Sequence, residues 1–268
     1  AARRALDTAP RDFDVRGALV LAGTLSAYAL AMTTRHFALL IVAAAGACLF
    51  IAIERRTSGA LIHPSMLGDR RLSAGLAMSL LVATVMMATL VVGPFYLGGA
   101  LALQPARMGL VMAIGPLAAA ATGLPAGRIV DRFGSERVTL AALAGTTVGL
   151  VGLALAPNMF GYIASLVALT ISYALFQTAN NAAVMARAHA DRRGVVSAML
   201  GLSRNLGLIS GAAAMGALFA FASGAEDVAA ASAAAITVGM QVTFAGAALL
   251  SLMALALAAG PGAKKALA

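Results

Sequence analysis

Eight apolar stretches, at 17–34, 37–53, 73–97, 107–126, 138–156, 161–186, 195–222 and 236–259, run nearly free of charge along this chain. A run of about 18 apolar residues or more matches a helix that crosses the hydrocarbon core of a bilayer. Composition supports the same conclusion: 61% of the residues are hydrophobic and only 11% charged, where a soluble domain carries about 25% charged residues. A β-barrel is excluded because the runs are continuous rather than alternating, and because Ala, Leu, Gly and Met dominate where a barrel would carry aromatic girdles. Helices are then the only spanning elements left. The sequence predicts an all-α, polytopic transmembrane helical bundle of about eight spans.

A net charge of +9 and a pI near 11.0 would ordinarily suggest nucleic acid as a partner. The positions of the charges argue against it. Arg3, Arg4, Arg11, Arg16, Arg55, Arg56, Arg70, Arg71, Arg128, Arg132, Arg137, Arg187, Arg192, Arg193, Lys264 and Lys265 all fall on one side of the predicted topology. The other side holds Arg35 and Arg107, and Arg204 lies inside a span. Such asymmetry is the positive-inside pattern, which places both termini in the cytoplasm of an integral plasma (inner) membrane protein. The alternation checks the span count, since one helix more or fewer would throw every later charge onto the wrong side.

The longest polar connection, Glu54 to Leu72, contains Pro64 in the stretch IHPSMLGDRR and separates a pair of helices from a set of six. The expected organisation is a cytoplasmic segment 1–16, two linking helices within 17–53, a cytoplasmic loop 54–72, a six-helix half 73–259 and a cytoplasmic tail 260–268. The opening segment holds no initiator Met and nothing of a signal peptide, so the chain is expected to be part of something longer.

Little here supports catalysis or metal binding. Cys48 is the single cysteine and lies within an apolar run, so no thiolate cluster or CxxC redox site can form. His36, His63 and His189 are scattered over loops on both sides and assemble neither a metal site nor a Ser-His dyad. No cofactor, no metal and no enzymatic activity are expected.

The sharpest local signal is the loop from Gly127 to Arg137, GRIVDRFGSER. Gly134 supplies a tight turn that a residue with a Cβ resists, and Asp131 can face the positive N-terminal end of the next helix. Arg132 and Arg137 suit a wet interface, and a charged turn obeying the positive-inside rule would look the same. The pattern G-x-x-x-D-R-x-G resembles the cytoplasmic loop motif of the major facilitator superfamily, found between the second and third helices of each six-helix half. Here it lies between the second and third helices of the set of six. Ser135 and Glu136 stand where that motif usually continues with basic residues. The two extra helices, the opening PRDFDVRGALVLAGTLSAYALAM and the run DRRGVVSAMLGLSRNLGLISGAAAMGAL are similar to the fourteen-helix drug:proton antiporter branch. That resemblance implies the C-terminal portion of such a transporter, with its N-terminal half, the lipid bilayer and a small-molecule substrate as partners. Gly127, Asp131, Arg132, Gly134 and Arg137 would then form its conformational loop.

In the sixth run Thr170, Tyr173, Gln177 and Asn180 recur at helical spacing, with Asn181 beside them. A polar stripe in lipid turns inward, either to line a substrate path near the midplane or to hydrogen-bond neighbouring helices. Arg204, about 13 Å into its span at 1.5 Å per residue, is either functional or snorkels toward the cytoplasm. Gly145, Gly149, Gly201, Gly207, Gly211 and Gly216 suit close helix packing, and Pro94, Pro116 and Pro125 suit kinks or helix ends.

All ten acidic residues lie outside the spans, from Asp7, Asp12 and Asp14 through Glu54, Asp69, Asp131, Glu136 and Asp191 to Glu226 and Asp227. A proton-driven pump needs a titrating group within the membrane, so coupling would fall to the first half of the transporter. Proton-driven efflux of drug-like or amphipathic compounds by alternating access is the leading expectation. A permease for a nutrient or metabolite and a non-transporting sensor or scaffold are the alternatives.

Overall fold

A computed structural model describes residues 15–34, 36, 38–54, 68–156, 158–225 and 230–260. Arg3, Arg4, Arg11, Arg35, Arg55, Arg56, His63, Pro64, Lys264, Lys265, Asp7, Asp12, Asp14, Glu226 and Asp227 lie outside the described residues. Among those described there is no strand, and the chain divides into two compact units between Asp69 and Arg70.

The first unit is a helical hairpin of α1, Val15–Thr34, and α2, Ala38–Glu54. The Thr24 Oγ1 occupies the space a side chain on Gly46 would need, so the two backbones approach closely there. Thr24 keeps its hydroxyl satisfied by donating to Val20 O at 2.7 Å. At 17 residues α2 reaches only about 26 Å, at the short end of what a bilayer requires. Seven described helices are long and apolar enough to cross a membrane, and α2 is a shorter apolar helix beside them.

The second unit contains α3 (Arg70–Phe95), α4 (Pro105–Phe133), α5 (Ser135–Ala154), α6 (Met159–Met185), α7 (Arg193–Ser223) and α8 (Ala233–Ala258). Their ends carry local reasons. Asn158 and Ser232 accept from Gly161 N at 2.9 Å and Ala235 N at 3.2 Å, capping α6 and α8. Pro105 opens α4, where a missing N–H costs nothing, and Gly224 at φ 61° closes α7 in the left-handed region. All three prolines of the sequence argument sit inside helices, Pro94 in α3 and Pro116 and Pro125 in α4. Beyond Pro94, which removes one rung of the ladder, α3 widens into a π-helical turn over Tyr96–Ala100.

The helices outrun the apolar stretches that mark them. α3 begins at Arg70 rather than near residue 73, and α4 continues to Phe133 rather than ending near 126. The expected loop 127–137 is therefore corrected: Gly127, Asp131 and Arg132 occupy the last two turns of α4, Arg137 the first turn of α5, and Gly134 alone makes the bend. Hydropathy reports where hydrocarbon ends, whereas backbone hydrogen bonds carry a helix onward into the polar interface.

Within this bundle α3 packs on α7 and α8, α5 on α6 and α8, and α4 lies along α6. Glycines set two of the closest approaches. A Cβ on Gly211 would sit 2.8 Å from Thr84 Cα, and one on Gly149 would sit 2.8 Å from the Leu169 backbone. Gly207 meets the Leu80 carbonyl in the same way, and Thr84 Oγ1 bonds Gly207 O across the α3–α7 contact at 3.1 Å. Gly145 faces Ser172, but Gly201 faces open space and Gly216 makes only ordinary contact, so neither is a close-packing residue. The main apolar cluster lies toward the π-turn, where Tyr96, Leu97, Tyr162, Phe219, Ile236, Met240 and Phe244 are all essentially inaccessible. By contrast α4 exposes Leu110, Leu117 and Leu124, the last 86% accessible, on a surface with the chemistry of one covered by lipid or protein.

Candidate functional site

The polar stripe on α6 resolves into residues with different work. Asn180 is buried and donates from Nδ2 to Gly75 O at 3.1 Å, tying α6 to the first turns of α3. Thr170 is also buried and returns its hydroxyl to Leu166 O at 2.6 Å, beside Gly115 of α4. Both are satisfied within the packing. Tyr173 lies close to the middle of the 27-residue α6, half-buried, its ring against the cluster of Met78, Val82, Ala142, Leu143, Phe176 and Ala254. Gln177, one turn on and also half-buried, donates from Nε2 to Tyr173 Oη at 2.8 Å. Asn181, a further turn along, is exposed. Tyr173, Gln177 and Asn181 thus form a line of uncharged hydrogen-bonding groups, about 6 Å per step, that retains access from outside the half-bundle.

Arg204 lies in the middle part of α7 and is exposed, while the adjacent Ser203 Oγ donates to Leu76 O at 2.5 Å and holds that turn against α3. No ion pair to Arg204 forms among the described residues, whose acidic groups all lie at helix ends. A charge on an exposed helix surface at that depth needs water, a polar ligand or further protein beside it.

At the basic end Glu136, in the first turn of α5, places one carboxylate oxygen 3.5 Å from Arg71 at the start of α3 and 3.5 Å from Arg187 just beyond α6. The residue that departs from the basic motif therefore links three helices of its own bundle. All three side chains remain about half accessible, so the link is weak, roughly 0–1 kcal/mol. Gly134 adopts φ 84°, where only glycine is comfortable, whereas a Cβ on Gly127 would meet open space. Asp131, Arg132 and Arg137 are exposed, and the Arg132 guanidinium stacks 5.4 Å from the ring centre of Phe133.

Sequence reasoning passed over the opposite end. Tyr96, in the π-turn, reaches Ala156 O at 3.4 Å and stacks on Tyr162 with ring centres 5.4 Å apart, while Phe95 meets Phe219 at the same separation. The one local hint was a proline followed by two aromatics and two glycines, Pro94 to Gly99. No group of three or more His, Cys, Asp or Glu side chains that could hold a metal occurs among the described residues.

Long apolar helices of membrane-crossing length, with arginines gathered at one end of the bundle, define an integral membrane protein. The profile of the Major Facilitator Superfamily matches residues 74–265, and the chain belongs to that superfamily, whose members are transporters rather than enzymes. Among curated proteins it is 25% identical over 221 residues to the riboflavin transporter RibZ of Clostridioides difficile (strain 630), covering 80% of this chain and 48% of that protein. The chain thus spans about half the length of the relative it matches.

Proposed function

We propose that this chain forms the second half of a secondary transporter that moves a small, uncharged organic nutrient or metabolite by rocking against a first half, with flavins as the leading solute. The observation that carries this reading is the accessible line Tyr173, Gln177 and Asn181, running from the middle of α6 toward its C-terminal end, which offers hydrogen bonds without charge. Apolar walls with a few placed polar groups suit such a solute, and the similarity to a riboflavin transporter points the same way. In this arrangement the residues 17–53 link the halves, Gly127, Asp131, Arg132, Gly134 and Arg137 form the conformational bend, and the basic end faces the cytoplasm. Arg204 borders the path. The remaining part of a longer protein supplies the opposite wall and any group that titrates within the membrane.

The test is uptake of radiolabelled riboflavin by a riboflavin-auxotrophic bacterium expressing the full-length protein. Rescue of growth at low riboflavin supports the proposal, and failure across a panel of flavins, nucleosides and pteridines sinks it. Drug:proton extrusion by the fourteen-helix branch is the second reading, favoured by the two helices that precede the six and by the 127–137 sequence. Proton-dependent efflux of amphipathic dyes, with no nutrient uptake, would select it.

A further inference from the structure

The contact between Gln177 and Tyr173 leaves a specific remainder. Gln177 Nε2 donates to Tyr173 Oη, which spends one amide hydrogen and one phenol lone pair. The phenol proton and the amide oxygen Oε1 form no further bond among the described residues. The second amide hydrogen and the phenol proton therefore remain as donors and Oε1 as an acceptor, and the amide donor and acceptor stand side by side because Nε2 and Oε1 share a carbon. Turning the amide over, so that Oε1 receives the phenol proton, leaves the phenol oxygen as acceptor and the NH2 as donor. The pairing survives either orientation.

The pair is also held in place. The Tyr173 ring packs against the buried cluster that includes Met78, Val82 and Phe176, which restrains its hydroxyl, and the hydroxyl in turn holds the Gln177 amide. Neither side chain supplies a counter-charge for a charged solute group, so this part of α6 presents hydrogen bonds alone. We propose that Tyr173 and Gln177 form a paired donor–acceptor contact for the lactam or imide edge, N–H beside C=O, of an uncharged heterocyclic solute. Asn181, about 6 Å further along α6, meets a second polar group on the same solute. The inference rests on the transporter reading above and adds the chemical feature that the site selects.

The test uses the full-length transporter in detergent and in proteoliposomes, with riboflavin and N3-methylriboflavin as one matched pair of probes and lumazine and its N3-methyl derivative as another. Affinity is read from ligand-dependent thermal stabilisation and from competition for uptake. Methylation removes the donor of the edge and leaves a buried partner unsatisfied, which lowers affinity about tenfold or more in the wild type. In Gln177→Leu that discrimination falls to near one. Gln177→Met, which removes the amide but keeps an unbranched side chain, gives the same loss if the leucine variant does not fold. Thr178→Val keeps the discrimination, because Thr178 turns its hydroxyl back to Ala174 O at 3.0 Å.

If the probes bind and the preference for the unmethylated partner is unchanged in both variants, the contact is overturned while the transporter reading stands. If flavins are ignored but lumazine binds with a preference that Gln177→Leu abolishes, the contact stands and the flavin reading falls. If none of the four probes binds or is carried, both fall.

Discussion

Replacing Gly211 by alanine sets two known effects against each other, and the structure decides which wins. In an open helix position the change is favourable by up to about 1 kcal/mol, because alanine is the better helix former. Here the added Cβ would lie 2.5 Å from Thr84 O, 2.8 Å from Thr84 Cα and 3.0 Å from Thr84 C. All three are backbone atoms of α3, so no rotamer change relieves them. Restoring ordinary contact moves α3 and α7 apart by roughly 1 Å, and a gap of that size forfeits about a quarter to a half of the dispersion energy along the seam. Overpacking of this kind costs about 1–3 kcal/mol. The Thr84 to Gly207 bond across the same seam is at risk as well, worth about 0.6 kcal/mol in a membrane bundle. The net expectation is destabilisation by about 1–2 kcal/mol. Gly201 on the same helix faces open space, so Gly201→Ala is expected to be neutral or stabilising. Thermal unfolding of the two full-length variants in detergent makes the comparison. Opposite shifts in midpoint support the packing argument, and Gly211→Ala as stable as Gly201→Ala refutes it.

Other substitutions separate packing from transport. Asn180→Ala removes the bond to Gly75 O and is expected to lower stability by about 1 kcal/mol with transport affinity retained in the folded fraction, whereas Asn181→Ala should alter solute affinity with unchanged unfolding. Gly134→Ala forces a Cβ into φ 84° and is expected to cost about 1–3 kcal/mol, measured as a lowered unfolding midpoint, while Gly127→Ala in the same assay is harmless. Glu136→Gln should cost less than about 1 kcal/mol, and that difference should vanish at high salt, since both partner arginines are half exposed.

The fold was legible because each spanning helix must be apolar over most of its length, which writes it into the sequence as a run that no soluble element needs. The candidate site was legible only as a pattern. Periodicity placed Thr170, Tyr173, Gln177, Asn180 and Asn181 on one stripe of α6, yet it could not divide them. Asn180 and Gln177 differ by only 60° around the helix, and the side chain nearer Gly75 is absorbed by α3 while the other stays open.

Hydrophobic pattern and charge asymmetry alone thus determined that the chain is a membrane helix bundle, the order of its helices and the end of the bundle that is basic. Tertiary structure decided what the pattern has no means to encode. It turned an expected loop into two further helical turns broken at Gly134, because backbone hydrogen bonding continues past the apolar boundary. It made Gly207 and Gly211 contact residues and left Gly201 idle, because close approach belongs to a pair of helices and not to a residue. The partners of Glu136 are likewise more than 50 positions away in the chain, and only folding brings them to one carboxylate.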